Sequence, residues 1–284
     1  MMRRPVALQF YAGDCAAQID AFLAHFRPPA EPAAPLAGIV PHAGWAYSGA
    51  VAAKVIKSLQ PASPETFVIF GAVHSWGVAE GAVYATGSWD TPLGEVAIDE
   101  ALAGLLLEKC AGGLTDDPAS HAQEHSIEVQ VPIIKHLYPN AGIVPIAMPP
   151  TENAAEIGAA VGAALAECGK TAAVLGSTDL THYGPHYGFA PWGTGATARE
   201  RMHENDRRII DLALTFAADD VVAEAHRSSN ACGAGAIAAT AAAAKAMGAG
   251  KAALIEYTTS HDVMGDPPDA FQTAVGYAGI LFGR

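Results

Sequence analysis

The chain alternates between short runs of apolar residues and longer segments in which apolar positions recur at helical spacing. The run at 66–71 is continuously apolar, which is typical of a strand covered on both faces of its sheet. We predict strands for this run and for the others of its kind, at 37–40, 141–148, 172–176, 252–257 and 274–282. A strand pair is predicted around 90–94.

The longer segments predict helices, and several of them follow a side chain that can cap a helix N-terminus. The predicted caps are Asp14, Ser48, Asp99, Ser120 and Thr151. The predicted helices cover 14–26, 48–59, 99–110, 121–137, 154–168, 196–215, 218–226 and 231–247. Strands that alternate with helices, without a tandem repeat or a break in composition, predict one α/β domain over residues 1–284.

Composition narrows the classes of partner. Hydrophobic residues make up 51% of the chain, charged residues make up 16%, and the formal net charge is −13. Binding to nucleic acid or to an anionic membrane needs clustered lysine and arginine, so we expect neither partner. The cysteines lie far apart and form no CxxC pair, which favours a reduced, cytoplasmic setting. We also expect neither a signal peptide nor a membrane-spanning segment.

Two histidines come directly after predicted strands. His42 follows the strand at 37–40, and His74 follows the strand at 66–71. Open α/β sheets bind ligands outside the carboxyl ends of their strands, so both rings are expected to face one crevice. Imidazole suits zinc, copper and iron, which makes a metal site one hypothesis. Hydrogen-bonded loop residues without a ligand are the other.

Cys232 lies among small residues before a predicted helix. Asn230 can act as the N-cap, which would place Cys232 in the first helical turn, where the helix dipole favours thiolate over thiol. A thiolate is a nucleophile or a metal ligand, and Gly233 and Gly235 allow another group to approach closely. The alternative is a small, buried apolar side chain.

Asp179 and His182 share the polar loop 177–184, which follows the predicted strand at 172–176. A carboxylate and an imidazole in such a loop can act as acid and base, or can orient the ligands of a metal. An Asx-type turn beside a solvated histidine is the alternative.

His121, Glu124 and His125 match the pattern H-x-x-E-H. In inverted zincins, two histidines one helical turn apart bind zinc and the glutamate is the base. The helix predicted at 121–137 is the right context, but the further carboxylate ligand of such sites is not identifiable. The alternative is helix capping and salt bridging by Glu124 and Glu128.

Several short motifs occur in the order in which the Memo-like family has them, and they span nearly the whole chain. They are P-H-A-G-W-A-Y-S-G (41–49), G-A-V-H-S (71–75), T-P-L-G-E-V-A-I-D (91–99), E-H-S-I-E-V-Q-V-P (124–132), S-T-D-L-T-H-Y-G (177–184) and N-A-C-G (230–233). The chain therefore resembles the Memo-like family, and within it the stand-alone prokaryotic branch named for the AmmeMemoRadiSam system.

That family is similar in fold to the class III extradiol dioxygenases. The resemblance implies an α/β sandwich around a mostly parallel sheet flanked by helices, with a metal site at one end. The metal ligands that it implies are His42, His74 and Cys232. Iron (Fe²⁺) is the expected ion, with copper or zinc as alternatives. The resemblance also implies that Asp179 and His182 line the site and that His125 lies nearby, whereas His121 is outside the family's motif.

Two imidazoles and one thiolate leave coordination positions open, as in a catalytic metal site. The expected function is redox or oxygen chemistry on an unidentified substrate, with His182, Asp179 and His125 handling protons. Class III dioxygenases use a carboxylate where this site has Cys232, so their ring cleavage is not carried over. The alternatives are a module that binds a peptide or a metal, and zinc-dependent hydrolysis through the H-x-x-E-H pattern. The resemblance further implies a radical-SAM enzyme and an AMMECR-type protein as partners, with a small molecule or peptide in the site.

Overall fold

The fold is organised around a nine-stranded sheet in a computed structural model that describes residues 2–11, 13–75 and 77–284. The strands are β1 (Met2–Arg3), β2 (Pro35–Val40), β3 (Thr66–Gly71), β4 (Gly81–Val83), β5 (Ser88–Trp89), β6 (Val96–Ala97), β7 (Leu114–Asp116), β8 (Gly142–Ala147), β9 (Ala172–Ser177), β10 (His182–Tyr183), β11 (Lys251–Thr259) and β12 (Ala274–Gly283). The helices are α1 (Cys15–Leu23), α2 (Trp45–Ser58), α3 (Glu100–Lys109), α4 (Val131–Leu137), α5 (Ala154–Glu167), α6 (Ala196–Leu214), α7 (Ala218–Ser228), α8 (Ala234–Ala246) and α9 (Ser260–Met264).

Parallel strands form the centre of the large sheet. Its order is β10-β12-β2-β9-β3-β8-β4-β7, and β11 pairs with β12. The strands β2, β9, β3 and β8 are parallel, whereas β12 runs antiparallel to β2 and β4 runs antiparallel to β8. A separate three-stranded sheet joins β1, β5 and β6, which includes the predicted strand pair around 90–94. The predicted α/β fold with a central sheet flanked by helices is confirmed, but the sheet is mixed, because four of its eight strand pairings are parallel and four are antiparallel.

Helices cover both faces of the central strands. Gly38 pairs with Leu175 in register, and a Cβ on Gly38 would meet Val55 of α2. The next residue of β9, Gly176, points to the opposite face, where a Cβ would meet Thr240 of α8. This double cover explains why the central strands are apolar without interruption.

Two helices begin at other residues than predicted, and one cap differs. The helix predicted from Ser48 begins at Trp45, and the Ser48 hydroxyl donates to the carbonyl of Ala43 instead of capping. The helix predicted from Asn230 begins at Ala234 with Gly233 at its N-cap. The caps predicted at Asp14 and Asp99 are confirmed by their hydrogen bonds to backbone N–H groups, but Thr151 does not cap α5, whose N-cap is Asn153.

The helix predicted over 121–137 is wrong for its first half. Residues 118–121 form a 3₁₀ turn that is capped by Asp117 instead of Ser120, and the α-helix begins only at Val131. Between them, the Glu124 carboxylate accepts hydrogen bonds from the N–H groups of His125 and Ser126. This local bonding competes with the helical ladder and holds the segment in an irregular loop.

No helix within residues 2–11, 13–75 and 77–284 has the length and apolar character that crossing a bilayer requires.

Candidate metal centre

The carboxyl ends of three neighbouring strands deliver the first side chains of the site. His42 follows β2 by two residues, Asp179 follows β9 by two, and His74 follows β3 by three. Because β9 lies between β2 and β3 and all three are parallel, these residues meet at one edge of the sheet. The strands that carry the two histidines are not neighbours, because β9 lies between them.

Three imidazoles meet at this edge. The possible ligand atoms of His42, His74 and His125 all lie within 4.8 Å of one another. The rings of His74 and His125 are stacked, with centroids 4.8 Å apart, and His42 stands edge-on to both. Three nitrogens at this separation can converge on one cation, so the group is a candidate metal site.

Hydrogen bonds fix which ring nitrogen of His42 and of His74 faces the histidine cluster. His42 Nδ1 is 3.1 Å from the Ser177 hydroxyl, and His74 Nδ1 is 2.9 Å from a Glu124 carboxylate oxygen. Each ring therefore leaves Nε2 for a ligand, the arrangement that orients histidine at protein metal sites. Neither Ser177 nor Glu124 was predicted in this role.

Cys232 lies against the same cluster. Its Sγ is 3.2 Å from His42 Nε2 and accepts a hydrogen bond from the Asp179 N–H at 3.3 Å. Burial raises the pKa of this thiol, but the charge and hydrogen bond of His42 and the hydrogen bond of His74 outweigh burial and lower the pKa to about 7. Cys232 can therefore present a thiolate beside the histidine cluster.

The cause of this acidity differs from the one predicted. Cys232 lies two residues before the first residue of α8, so it is not in the first helical turn. Asn230 is not the cap either, because Gly233 holds the N-cap position, and the Asn230 amide nitrogen donates to the carbonyl of Asn205 and the carboxylate of Glu224. The imidazoles of His42 and His74 stabilise the thiolate.

Asp179 holds the turn that carries His42. One carboxylate oxygen accepts hydrogen bonds from the N–H groups of His42, at 2.7 Å, and Ala43, at 3.2 Å. Burial raises the pKa of Asp179 to about 6, although the charge of His182 and the two N–H bonds oppose the rise. Asp179 is a positioning residue for His42 that remains close enough to His182 to interact with its charge.

His182 lies on β10 at the pocket wall. Its Nδ1 is 3.0 Å from the carbonyl of Leu180, and its ring stands edge-on to Tyr187 at 5.2 Å. A proton on Nδ1 satisfies that carbonyl and leaves Nε2 as an acceptor. This is the orientation of a residue that can take a proton from a bound molecule.

The H-x-x-E-H pattern is divided between two places. His121 is fully buried, its Nε2 lies 2.8 Å from the carbonyl of Ala82, and its ring packs against Tyr84 and Trp89. His121 and His125 do not share a helix, so the geometry of an inverted zincin is absent. Burial lowers the pKa of His121 to about 4, as expected for a neutral core histidine.

Glu124 of that pattern contacts the histidine cluster. Its carboxylate accepts hydrogen bonds from the N–H and Nδ1 of His74 and lies 3.7 Å from His125 Nδ1. Although burial acts in the opposite direction, the hydrogen bond and charge of His74 hold the pKa of Glu124 well below its usual range. For His74, burial lowers the pKa, but the hydrogen bonds and charges of Cys232 and Glu124 outweigh burial and raise the pKa to about 10.

The histidine cluster forms part of the wall of an open pocket of about 580 Å³. Phe10 packs against His125 with ring centroids 4.7 Å apart, which brings the N-terminal segment over the site. Other wall residues that sequence reasoning missed are Tyr47, Tyr187, His261, Met264 and Asp266. The available signal was weak, because these residues lie on helix ends and loops outside any ligand-like spacing.

Known proteins are similar to this chain in sequence and in fold. A family model described as "Memo-like protein" matches residues 3–281. A MEMO1 family protein of Methanopyrus kandleri is 40% identical over 88% of this chain and 84% of its own length. A MEMO1 family protein of Thermococcus onnurineus is 36% identical over 99% of both chains. The chain belongs to the Memo family.

One solved structure supports the architecture of this Memo family member. It is the crystal structure of an uncharacterized protein of Escherichia coli K12, with a TM-score of 0.52 over 85% of this chain and 99% of that one. At 13% identity this likeness shows the fold alone. It agrees with the α/β fold predicted from the sequence.

The donor set fits a transition metal. Imidazole nitrogens with a thiolate suit iron, copper and zinc, and the partly exposed rings of His74 and His125 leave one side of the cluster facing the pocket. A closed structural site would instead surround its ion with protein ligands. The chemistry of these residues is therefore that of an open site next to a cavity for a second molecule.

Proposed function

We propose that the protein binds iron or copper through His42, His74 and Cys232 and uses this centre for redox or oxygen chemistry on a molecule in the adjoining pocket. The observation that carries the proposal is the position of the Cys232 sulfur, 3.2 Å from His42 Nε2 and in hydrogen-bonding contact with His74, while the Nδ1 atoms of both rings are held by Ser177 and Glu124. Zinc suits the same ligands, but a thiolate beside imidazoles also tunes metals that change oxidation state.

The chain's own residues prepare this site for chemistry. Ser177 and Glu124 hold the two rings, Asp179 holds the turn of His42, and the pocket side remains accessible. A bound iron or copper ion would supply electron transfer and an open coordination position. His182 receives or returns the proton that the reaction moves, because its Nε2 is free and its ring lines the pocket.

Metal analysis of anaerobically purified protein tests the ligand set. His42→Ala, His74→Ala and Cys232→Ser should each lose most of the bound iron or copper. His121→Ala is the matched control for a hydrolase site, and it should keep the metal because that ring is engaged by the Ala82 carbonyl. Unchanged metal content in all three ligand variants would refute the proposal.

Oxygen uptake separates chemistry from simple binding. The metal-loaded protein should consume oxygen with a suitable reductant, and His182→Gln should slow consumption at least tenfold while keeping the metal. A loaded protein that consumes no oxygen would indicate a binding module.

His125→Ala assigns the third ring, since metal loss would make His125 a ligand and metal retention would leave it a proton-handling group.

A further inference from the structure

Aromatic side chains surround the outer part of the pocket. Tyr47 and Tyr187 line it and are 41% and 44% exposed, whereas His42 at its inner end is 2% exposed. Tyr277 is buried behind them and also contributes to the wall. Two large rings held at a pocket mouth, in contact with solvent, offer their faces to an incoming molecule.

The ionisable side chains at this wall are two carboxylates, five histidines and the tyrosines. Asp179 and Asp266 line the pocket, and no lysine or arginine occurs among its lining residues in the part of the chain that the structure describes. Arg199, which reaches α9 at the pocket wall, is engaged in an ion pair with Asp262. Recognition of phosphate or carboxylate by arginine therefore has no counterpart on this wall.

The tyrosines and Asp179 lie close enough to influence each other. Burial raises the pKa of Tyr187, and the charges of Asp179 and Tyr47 raise it further. Burial also raises the pKa of Tyr277, and the charges of Asp179, Tyr187 and Tyr47 raise it further. Neutral phenol rings in a pocket that also presents the exposed carboxylate of Asp266 are the components of a cage for an organic cation, because ring faces and carboxylates both attract positive charge.

We propose that Tyr47, Tyr187 and Asp266 bind an organic ammonium group, so that the ligand presented to the histidine cluster is an amine with a short apolar body. Met264, which is 64% exposed at the same wall, supplies a flexible contact for that body. The position of the amine relative to a metal rests on the proposed function, whereas the cage itself does not.

A charge series on one phenol body tests the cage. The probes are tyramine, 4-ethylphenol, 3-(4-hydroxyphenyl)propionate and phenyl phosphate, titrated calorimetrically into metal-free protein and again into metal-loaded protein. Tyramine should bind most tightly and the two anions least, with at least a tenfold difference in Kd between tyramine and the propionate. Anions that bind as tightly as tyramine, or tyramine that does not bind at millimolar concentration, would overturn the proposal.

Matched variants assign the contacts. Tyr47→Leu and Tyr187→Leu should each weaken tyramine binding about threefold to tenfold, the range of a cation–aromatic contact, whereas Tyr47→Phe and Tyr187→Phe should keep most of it. Asp266→Asn should reduce the preference for tyramine over 4-ethylphenol, and Asp269→Asn, an exposed control outside the pocket wall, should not. Equal effects of the leucine and phenylalanine variants would contradict an aromatic cage.

Failure of this inference is distinguishable from failure of the metal proposal. If His42→Ala and Cys232→Ser lose metal but every probe binds without regard to charge, the cage is wrong and the metal centre stands. If metal-free protein selects tyramine while no variant changes metal content, the cage stands and the metal proposal falls.

Discussion

At the scale of single residues, Glu124 is the side chain on which the site's geometry depends most. It is almost fully buried, and its two oxygens bind the N–H and ring of His74 and the N–H groups of His125 and Ser126. One carboxylate thus sets both the loop and the orientation of a proposed ligand. Such a residue tunes a metal site without touching the ion.

Replacing this carboxylate by an amide should weaken metal binding without removing it. Glu124→Gln keeps the shape of the side chain but loses the charge that fixes His74, so we expect about a 10- to 100-fold loss of affinity. Competition with a chromophoric chelator measures it. Gln123→Ala, at the exposed neighbouring position, is the control and should bind normally. An affinity of Glu124→Gln equal to that of the unchanged protein would show that the carboxylate is not needed.

At the scale of elements, α5 and α8 approach so closely that only glycine fits between them. A Cβ on Gly158 would lie 2.2 Å from the carbonyl oxygen of Ala239, and one on Gly162 would lie 2.3 Å from that of Ala243. These clashes are with backbone, which cannot rotate away. The fit of α5 against α8 matters for the site, because α8 begins directly after Cys232 and Gly233.

Adding one methyl group at this contact should destabilise the fold. Gly158→Ala improves helix propensity by about 1 kcal/mol, but the clash should reverse that gain and leave a net loss of about 1–3 kcal/mol. Gly104→Ala in α3 is the matched control, since nothing lies within 4 Å of a Cβ there, and it should stabilise the protein. Urea denaturation measures both, and a stabilised Gly158→Ala would contradict the packing described.

The sequence pattern predicts strands better than helix starts, and the reason is visible in these elements. Uninterrupted apolar runs such as Thr66–Gly71 reflect burial on both faces, which few other structures produce. Helix starts depend on which partner a polar side chain finds. Ser48 and Asn230 can both cap a helix, yet Ser48 bonds to the nearby Ala43 carbonyl and Asn230 bonds to Asn205 on α6.

The residues of the candidate site also differ in how well the sequence predicts them. His42, His74 and Asp179 stand at strand ends, so topology alone indicates one crevice. Cys232 joins them through a contact that no spacing predicts, 190 residues along the chain from His42. The role of Glu124 was hidden because its pattern looked helical, and Tyr187 has no recognisable motif because any loop can present an aromatic ring.

At the scale of the whole molecule, a buried network behind the site couples stability to pH. Asp206 is fully buried on α6 and accepts hydrogen bonds from the N–H of Thr181, at 2.9 Å, and the hydroxyl of Tyr257, at 2.8 Å. Burial raises its pKa to about 7, although both partners oppose the rise. The network links α6, β11 and the loop that carries His182, so its ionisation affects the whole fold.

The consequence is a loss of stability as pH rises. The folded state holds the Asp206 proton more tightly than the unfolded state, so the contribution is fully present below the ordinary aspartate pKa and is lost as pH rises through about 7. Each unit of pKa difference is worth about 1.4 kcal/mol, which makes the expected loss a few kcal/mol.

Asp206→Asn cannot ionise and can keep both hydrogen bonds, with the Tyr257 oxygen accepting. Its free energy of unfolding should therefore match that of the unchanged protein only below about pH 4, exceed it modestly at pH 5 and exceed it by more at pH 8. Urea midpoints across this range measure the difference, with Asp211→Asn on the exposed side of α6 as the control. A difference that stays constant between pH 5 and pH 8 would mean that Asp206 does not titrate in this window.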